Sequence, residues 1–153
     1  MTMTVRERIS KKYSITKRFV SYSKYSMILY ELVEKIKNSK KKFDYVCGLT
    51  RGGLPIAVHL SHNLNCKFIT QLELAEIVIA GYSVLIVDDI SDTGKSFEGI
   101  KVFLKEISLN KESFASLFYK KRSSIKPDYF VNEIPDNEWI IFPWETGDEE
   151  PNR

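Results

Sequence analysis

The residues best able to do chemistry are concentrated in Val84-Leu85-Ile86-Val87-Asp88-Asp89-Ile90-Ser91-Asp92-Thr93-Gly94-Lys95-Ser96. Four consecutive apolar residues, Val84–Val87, fit a strand buried on both faces. That strand delivers two adjacent carboxylates, Asp88 and Asp89, to its end, and a turn rich in hydroxyls and glycine opens a helix read over Thr93–Leu104. Free backbone N–H groups and the helix dipole at Asp92–Ser96 make the turn an anion site. Gly94 allows close approach there, and Thr93 and Ser96 add donors. Carboxylates beside a phosphate are costly unless they meet hydroxyls or a cation, so Asp88 and Asp89 suit the two hydroxyls of a ribose and a magnesium ion. The combination describes a phosphorylated ribose.

Competing readings of the same residues are weaker. An apolar strand ending in Asp-Asp also occurs in magnesium-dependent ATPases, and Gly94-Lys95-Ser96 resembles the end of a P-loop. The P-loop needs a glycine five residues before Gly94, where Asp89 stands, and it should precede the carboxylate strand. His59 and His62 are three apart on a predicted helix, but no third ligand accompanies them, so they read as helix-surface residues. Lys120, Trp139 and Trp144, each taken alone, would be an ordinary surface lysine and core or interface aromatics.

The elements that must position these residues alternate along the chain. A short extended segment is expected near Tyr13–Thr16. Ser21–Lys37 carries Met27, Ile28, Leu32, Val33 and Ile36 at helical spacing, with serines available as caps, and the polar run Asn38–Lys42 ends it. Tyr45–Leu49 reads as a strand, Thr50-Arg51-Gly52-Gly53 as a turn, and Leu54–Leu64 as a helix with Pro55 in its first turn. Further strands are expected at Cys66–Thr70, Phe114–Tyr119 and Tyr129–Val131. This alternation predicts an α/β fold with a mainly parallel twisted sheet flanked by helices on both sides. The ligand crevice of such a sheet lies beyond the carboxyl ends of its strands, where Thr50–Gly53 and Asp88–Ser96 both fall.

Composition bounds the rest. With 153 residues, 43% hydrophobic and 28% charged, the chain fits one domain with a single core, and no repeat or linker divides it. No apolar run is long enough to span a bilayer, and Met1–Lys12 lacks the apolar middle of a signal peptide, so a soluble cytoplasmic protein without a membrane partner is expected. Cys47 and Cys66 lie in or beside apolar runs and read as reduced core thiols. A net charge of +3 is modest, and the basic stretches Lys40–Lys42 and Lys120–Arg122 read as solvated loops rather than a nucleic-acid face.

The segment Val84–Ser96 resembles the phosphoribosyl-pyrophosphate signature of the type I phosphoribosyltransferases, with Lys95 a departure where small residues are frequent. The resemblance covers nearly the whole chain and is nearest to the short bacterial xanthine-guanine (hypoxanthine) phosphoribosyltransferases. It implies a 153-residue single domain with a core over about 21–120 and a hood from about 1–20 and 121–153. It further implies a phosphoribosyl site of Asp88, Asp89, Asp92, Thr93, Gly94, Lys95 and Ser96, and a pyrophosphate loop of Thr50, Arg51, Gly52 and Gly53. Lys120 takes the place of the lysine that meets the purine 6-oxo group, and Ile134–Ile140 with Pro143-Trp144-Glu145 resembles the closing hood, so Trp139 and Ile140 face the base. Asp92 is the implied catalytic proton acceptor, and Asp89 and Glu145 the implied magnesium ligands. The implied activity is transfer of ribose 5-phosphate from phosphoribosyl pyrophosphate to a 6-oxopurine in purine salvage by a homodimer or homotetramer. The alternative is a regulator of the same fold that senses phosphoribosyl pyrophosphate. Relatives insert a long mobile loop before the signature strand. Here only Gln71–Ser83 is available, and its Leu72, Leu74, Ile77, Val78 and Ile79 suggest a compact, partly packed connection rather than a polar flap.

Overall fold

The computed structural model describes residues 2–12 and 14–145. Its elements run α1 (Val5–Lys12), β1 (Thr16–Phe19), α2 (Tyr22–Asn38), β2 (Tyr45–Gly48), α3 (Gly53–Leu64), β3 (Lys67–Ile69), α4 (Leu74–Ile79), β4 (Val84–Ser91), α5 (Lys95–Leu104), β5 (Glu112–Tyr119), β6 (Tyr129–Glu133) and β7 (Glu138–Ile141). The main sheet has the order β3-β2-β4-β5-β6, and every pairing in it is parallel.

The apolar run of β4 is central and divides its side chains by period two. Leu85 and Val87 join Ile28, Leu32, Val33 and Ile36 of α2 and Ile56, Ala57 and Leu60 of α3. Val84 and Ile86 join Leu74 and Val78 of α4 and Phe97, Ile100 and Leu104 of α5. Both faces are therefore covered, as the α/β reading requires. Helix α2 begins where Ser21 Oγ accepts from Lys24 N at 3.1 Å, and it stops where Ser39 Oγ donates to Ile36 O at 2.6 Å. Its Met27 is exposed, outside the buried stripe. Cys47 lies in the core, where burial, reinforced by Glu73, pushes its thiol up to about 12. Cys66 donates to Phe43 O at 3.0 Å, and burial likewise raises its thiol.

Several boundaries differ from the sequence reading. The early strand is Thr16–Phe19 rather than Tyr13–Thr16, with Tyr13 outside the described residues. Its position follows from a partner remote in sequence, since β1 pairs in parallel with β7 from Thr16↔Glu138 to Phe19↔Ile141. Helix α1 forms in the charged N-terminal stretch, where the sequence reading has no helix. Strand β4 runs four residues beyond Val87 because β5 continues beside it, pairing Asp88↔Ser116, Ile90↔Phe118 and Ser91↔Tyr119. Helix α5 consequently starts at Lys95, two residues after the expected Thr93. The connection between β3 and β4 is compact and partly packed, as expected: Leu74 and Val78 are buried in α4, while Leu72 is 95% exposed and Ile79 faces outward.

Candidate active site

Past Val87, β4 keeps β5 on one side while β2 ends on the other, its last link being Leu49 N to Val87 O at 2.9 Å. The turn after β2 fills the vacated edge. A Cβ on Gly53 would lie 3.0 Å from Val87 C and 3.1 Å from Asp88 Cα, and it would overlap Val87 O outright. One on Gly52 would lie 2.5 Å from Asp89 Cγ and 2.8 Å from Asp89 Oδ1. Only glycine permits this approach. The turn begins with a cis peptide between Thr50 and Arg51. Thr50 N and Oγ1 both donate to Gln71 Oε1, at 3.0 and 2.9 Å.

The two signature carboxylates sit within β4 at this edge. Asp89 is only 3% exposed, and its Oδ1 accepts from Ile90 N at 2.8 Å. Asp88 is half-buried and accepts from Asp89 N at 2.9 Å. The following turn is built against the segment after β5. Gly94 has φ +85°, and a Cβ there would meet Ser124 Oγ at 2.5 Å and Ser123 Oγ at 2.7 Å. Thr93 O accepts from Ser124 N at 2.9 Å, and Ser91 Oγ lies 2.8 Å from Ser123 Oγ. Thr93, Lys95 and Ser96 are exposed at the start of α5, free of the body of the sheet and open to a ligand from solvent.

Asp92 and Lys120 meet here although 28 residues separate them. Lys120 Nζ donates to Asp92 Oδ2 at 3.2 Å and to Asp136 O at 3.1 Å. The lysine is 2% exposed, and burial lowers its ammonium from the ordinary lysine value although Asp92 draws it back up. The other Asp92 oxygen accepts from Arg122 Nε at 2.8 Å and also from Arg122 Nη2. Lys120–Arg122 departs at Lys120 from the solvated loop expected from its charge run: Lys120 is buried, while Lys121 and Arg122 are exposed, Arg122 with its head on Asp92. Arg122 and Gln71 carried no signal in the sequence, since their partners lie 30 and 21 residues away.

The hood residues divide. Trp139 is half-buried in β7, opposite Lys17, while the Ile140 side chain belongs to the core cluster, leaving its backbone as the part able to face a base. Trp144 stacks on Phe142 and meets Tyr25 edge-on, an anchor for the tail. Glu145 Oε2 accepts from Phe142 N at 2.9 Å. Among the described residues no three His, Cys, Asp or Glu gather as metal ligands, so Glu145 does not join Asp88 and Asp89 in such a group. His59 and His62 are exposed on α3, with His59 Nδ1 bonded to the Tyr25 hydroxyl at 2.7 Å.

A glycine turn, the half-buried Asp88 with the buried Asp89, and a Thr-Gly helix start thus lie at one edge of a parallel sheet, and the family of the chain follows from its likeness to known proteins. The phosphoribosyl transferase domain matches residues 67–151. The chain belongs to the phosphoribosyltransferase family. A xanthine-guanine phosphoribosyltransferase of Cereibacter sphaeroides is 27% identical over 118 residues, covering 65% of this chain and 68% of that protein. The crystal structure of a purine phosphoribosyltransferase from Pyrococcus horikoshii matches with TM-score 0.70 and 29% identity, over 85% of this phosphoribosyltransferase and 95% of that chain. The Helicobacter pylori xanthine-guanine-hypoxanthine phosphoribosyltransferase matches with TM-score 0.67 and 25% identity, over 85% and 94%. Among the described residues, no helix is long and apolar enough to cross a membrane.

Proposed function

We propose that this phosphoribosyltransferase transfers ribose 5-phosphate from phosphoribosyl pyrophosphate to a 6-oxopurine, in purine salvage. The observation that carries the reading is the contact of Lys120 with Asp92 beside the signature turn. An ammonium donor and a carboxylate acceptor side by side complement the 6-oxo oxygen and the neighbouring imidazole N–H of a 6-oxopurine. A 6-amino group offers Lys120 no acceptor. The names of the relatives in Cereibacter and Helicobacter support the same substrate class.

In the proposed reaction the bond from the anomeric carbon to the diphosphate oxygen breaks, with its electron pair leaving on that oxygen. One imidazole nitrogen of the purine forms the new bond to carbon with its lone pair, and the proton on the other, beside the 6-oxo group, passes to Asp92 and then to water. The N–H groups at Asp92–Ser96, with the Thr93 and Ser96 hydroxyls, bind the 5-phosphate, and Lys95 adds positive charge. Asp88 and Asp89 hold the ribose hydroxyls. Thr50–Gly53 faces the diphosphate, with the Arg51 guanidinium as its charge partner. Trp139 offers the base an aromatic face.

These residues fit magnesium as an ion brought with the substrate. The Asp88–Asp89 pair supplies one or two carboxylates, and such ions take their remaining ligands from phosphates and waters. When bound, magnesium would neutralise charge on the leaving diphosphate. A single domain made of a signature core and a hood closed by β1 and β7 is part of this proposal, as are assembly into a homodimer or homotetramer and a cytoplasmic setting.

The packed α4 favours one second reading, a sensor that binds phosphoribosyl pyrophosphate with little transfer, because a fixed connection is a poor lid. Incubating the protein with phosphoribosyl pyrophosphate, magnesium and xanthine, guanine, hypoxanthine, adenine or uracil separates the two. Nucleotide from the 6-oxopurines supports the enzyme. Magnesium-dependent binding with no nucleotide from any base supports the sensor.

A further inference from the structure

Gln71 belongs to the shortened connection, yet its side chain reaches the turn proposed to face diphosphate. Its single Oε1 takes both donors of Thr50, the backbone N–H and the hydroxyl. Two bonds converging on one acceptor fix both the peptide orientation and the side-chain rotamer at the first residue of the turn. The third anchor of that turn is Gly53 N to Leu49 O at 3.0 Å.

Gln71 is itself held in place. Thr70 N donates to Glu73 Oε2 at 2.8 Å, Thr70 Oγ1 donates to the same oxygen, and Leu72 N donates to Thr70 Oγ1 at 3.3 Å. Leu74, next along, is fully buried. The connection therefore starts as a self-capped surface turn anchored to the core by Leu74, and Gln71 projects from that base.

We infer that Gln71 is a positioning residue for diphosphate binding, acting through Thr50 to hold the Thr50–Gly53 turn in its binding conformation before the substrate arrives. The inference rests on the proposed function. Ordering a four-residue turn on binding would cost conformational entropy, and a turn ordered beforehand avoids that cost. The short connection thus contributes a fixed strut where a mobile flap is absent.

The experiment is titration calorimetry of wild type, Gln71→Met, Thr50→Val and the double variant with magnesium and phosphoribosyl pyrophosphate, accompanied by thermal melts and steady-state kinetics. Gln71→Met keeps the side-chain length and removes the acceptor. Two net hydrogen bonds of about 1 kcal/mol each correspond to about 30-fold weaker binding at most. A loss of about 5- to 30-fold is expected, appearing in KM for phosphoribosyl pyrophosphate but not in KM for the base. The effect of Thr50→Val should shrink in the Gln71→Met background, because the two side chains act as one unit. Equal or tighter binding by Gln71→Met, or additive effects in the cycle, would overturn the inference. If wild type itself fails to bind phosphoribosyl pyrophosphate, the proposed function is what fails.

Discussion

Gly52 and Gly53 are adjacent, but alanine at each should do different damage because the new methyl meets different atoms. At Gly53 those atoms are β4 backbone: Val87 C at 3.0 Å, Asp88 Cα at 3.1 Å and Val87 O in direct overlap. That backbone is held by Leu49 N on one side and by the Val87↔Ala115 pairing on the other. The turn must therefore lift, breaking Gly53 N to Leu49 O and disturbing the first turn of α3, next to buried Ile56 and Ala57. One lost hydrogen bond costs about 1 kcal/mol and the overpacking about 2 kcal/mol more, so about 3 kcal/mol in all. For a chain of this size that lowers Tm by about 6–12 °C. At Gly52 the methyl meets the Asp89 carboxylate, a side chain that can rotate away at the expense of its 2.8 Å bond from Ile90 N. The stability loss should stay near 1 kcal/mol, or about 2–4 °C. Displacing a carboxylate from a charge-assisted contact costs about 1.5–3 kcal/mol of ligand binding, about 10- to 100-fold. Thermal melts and calorimetric titration with magnesium and phosphoribosyl pyrophosphate read both quantities. A Gly53→Ala protein melting within about 2 °C of wild type, or a Gly52→Ala protein less stable than Gly53→Ala, would refute the packing argument.

Asp88→Asn with Asp89→Asn should abolish magnesium-dependent binding of phosphoribosyl pyrophosphate, because ribose acceptors and the charge for the cation are lost together; unchanged calorimetric affinity would remove the central site assignment. Lys120→Met should lower kcat/KM for 6-oxopurines by about 10- to 100-fold, the worth of a charged donor's hydrogen bond. An unchanged ratio of 6-oxopurine to adenine turnover would remove Lys120 from base selection. With α4 packed in place of a mobile flap, water should reach the site during turnover, giving slow transfer with measurable hydrolysis of phosphoribosyl pyrophosphate unless a neighbouring subunit covers it. Fast transfer without hydrolysis by a strictly monomeric protein would show that no lid is required.

The main sheet was legible because its strands are short apolar runs punctuated by glycine and charge. Val84–Val87 is buried on both faces, and four consecutive apolar residues say so directly. What the pattern could not show was where β4 stops. Asp88, Asp89 and Ser91 are poor strand formers in isolation, but β5 offers ladder partners as far as Tyr119, and each Asp carboxylate accepts from the next backbone N–H. Tertiary pairing overrides local preference there. The same holds for β1, whose four exposed residues Thr16-Lys17-Arg18-Phe19 have no buried stripe and become a strand only because β7 lies alongside.

At the site, residues next to one another in sequence were readable and contacts across the fold were not. The helix start at Asp92–Ser96 and the glycine turn at Thr50–Gly53 are local devices whose chemistry follows from residue order. The ion cluster is different in kind. Asp92 leaves the end of β4 and Lys120 follows the end of β5, so the two meet because those strands are parallel neighbours in register to Ser91↔Tyr119. Lys120 N donating to Ser91 O at 3.0 Å extends that ladder one step and brings the lysine onto the carboxylate. Once Lys120 is fixed, Arg122 two residues later arrives at the other Asp92 oxygen, and the backbone of Asp136 takes the remaining direction of the ammonium. A lysine that sequence alone assigns to solvent is thus drawn inward by strand order. The carboxylate proposed to receive the purine proton owes its orientation to a register in the sheet.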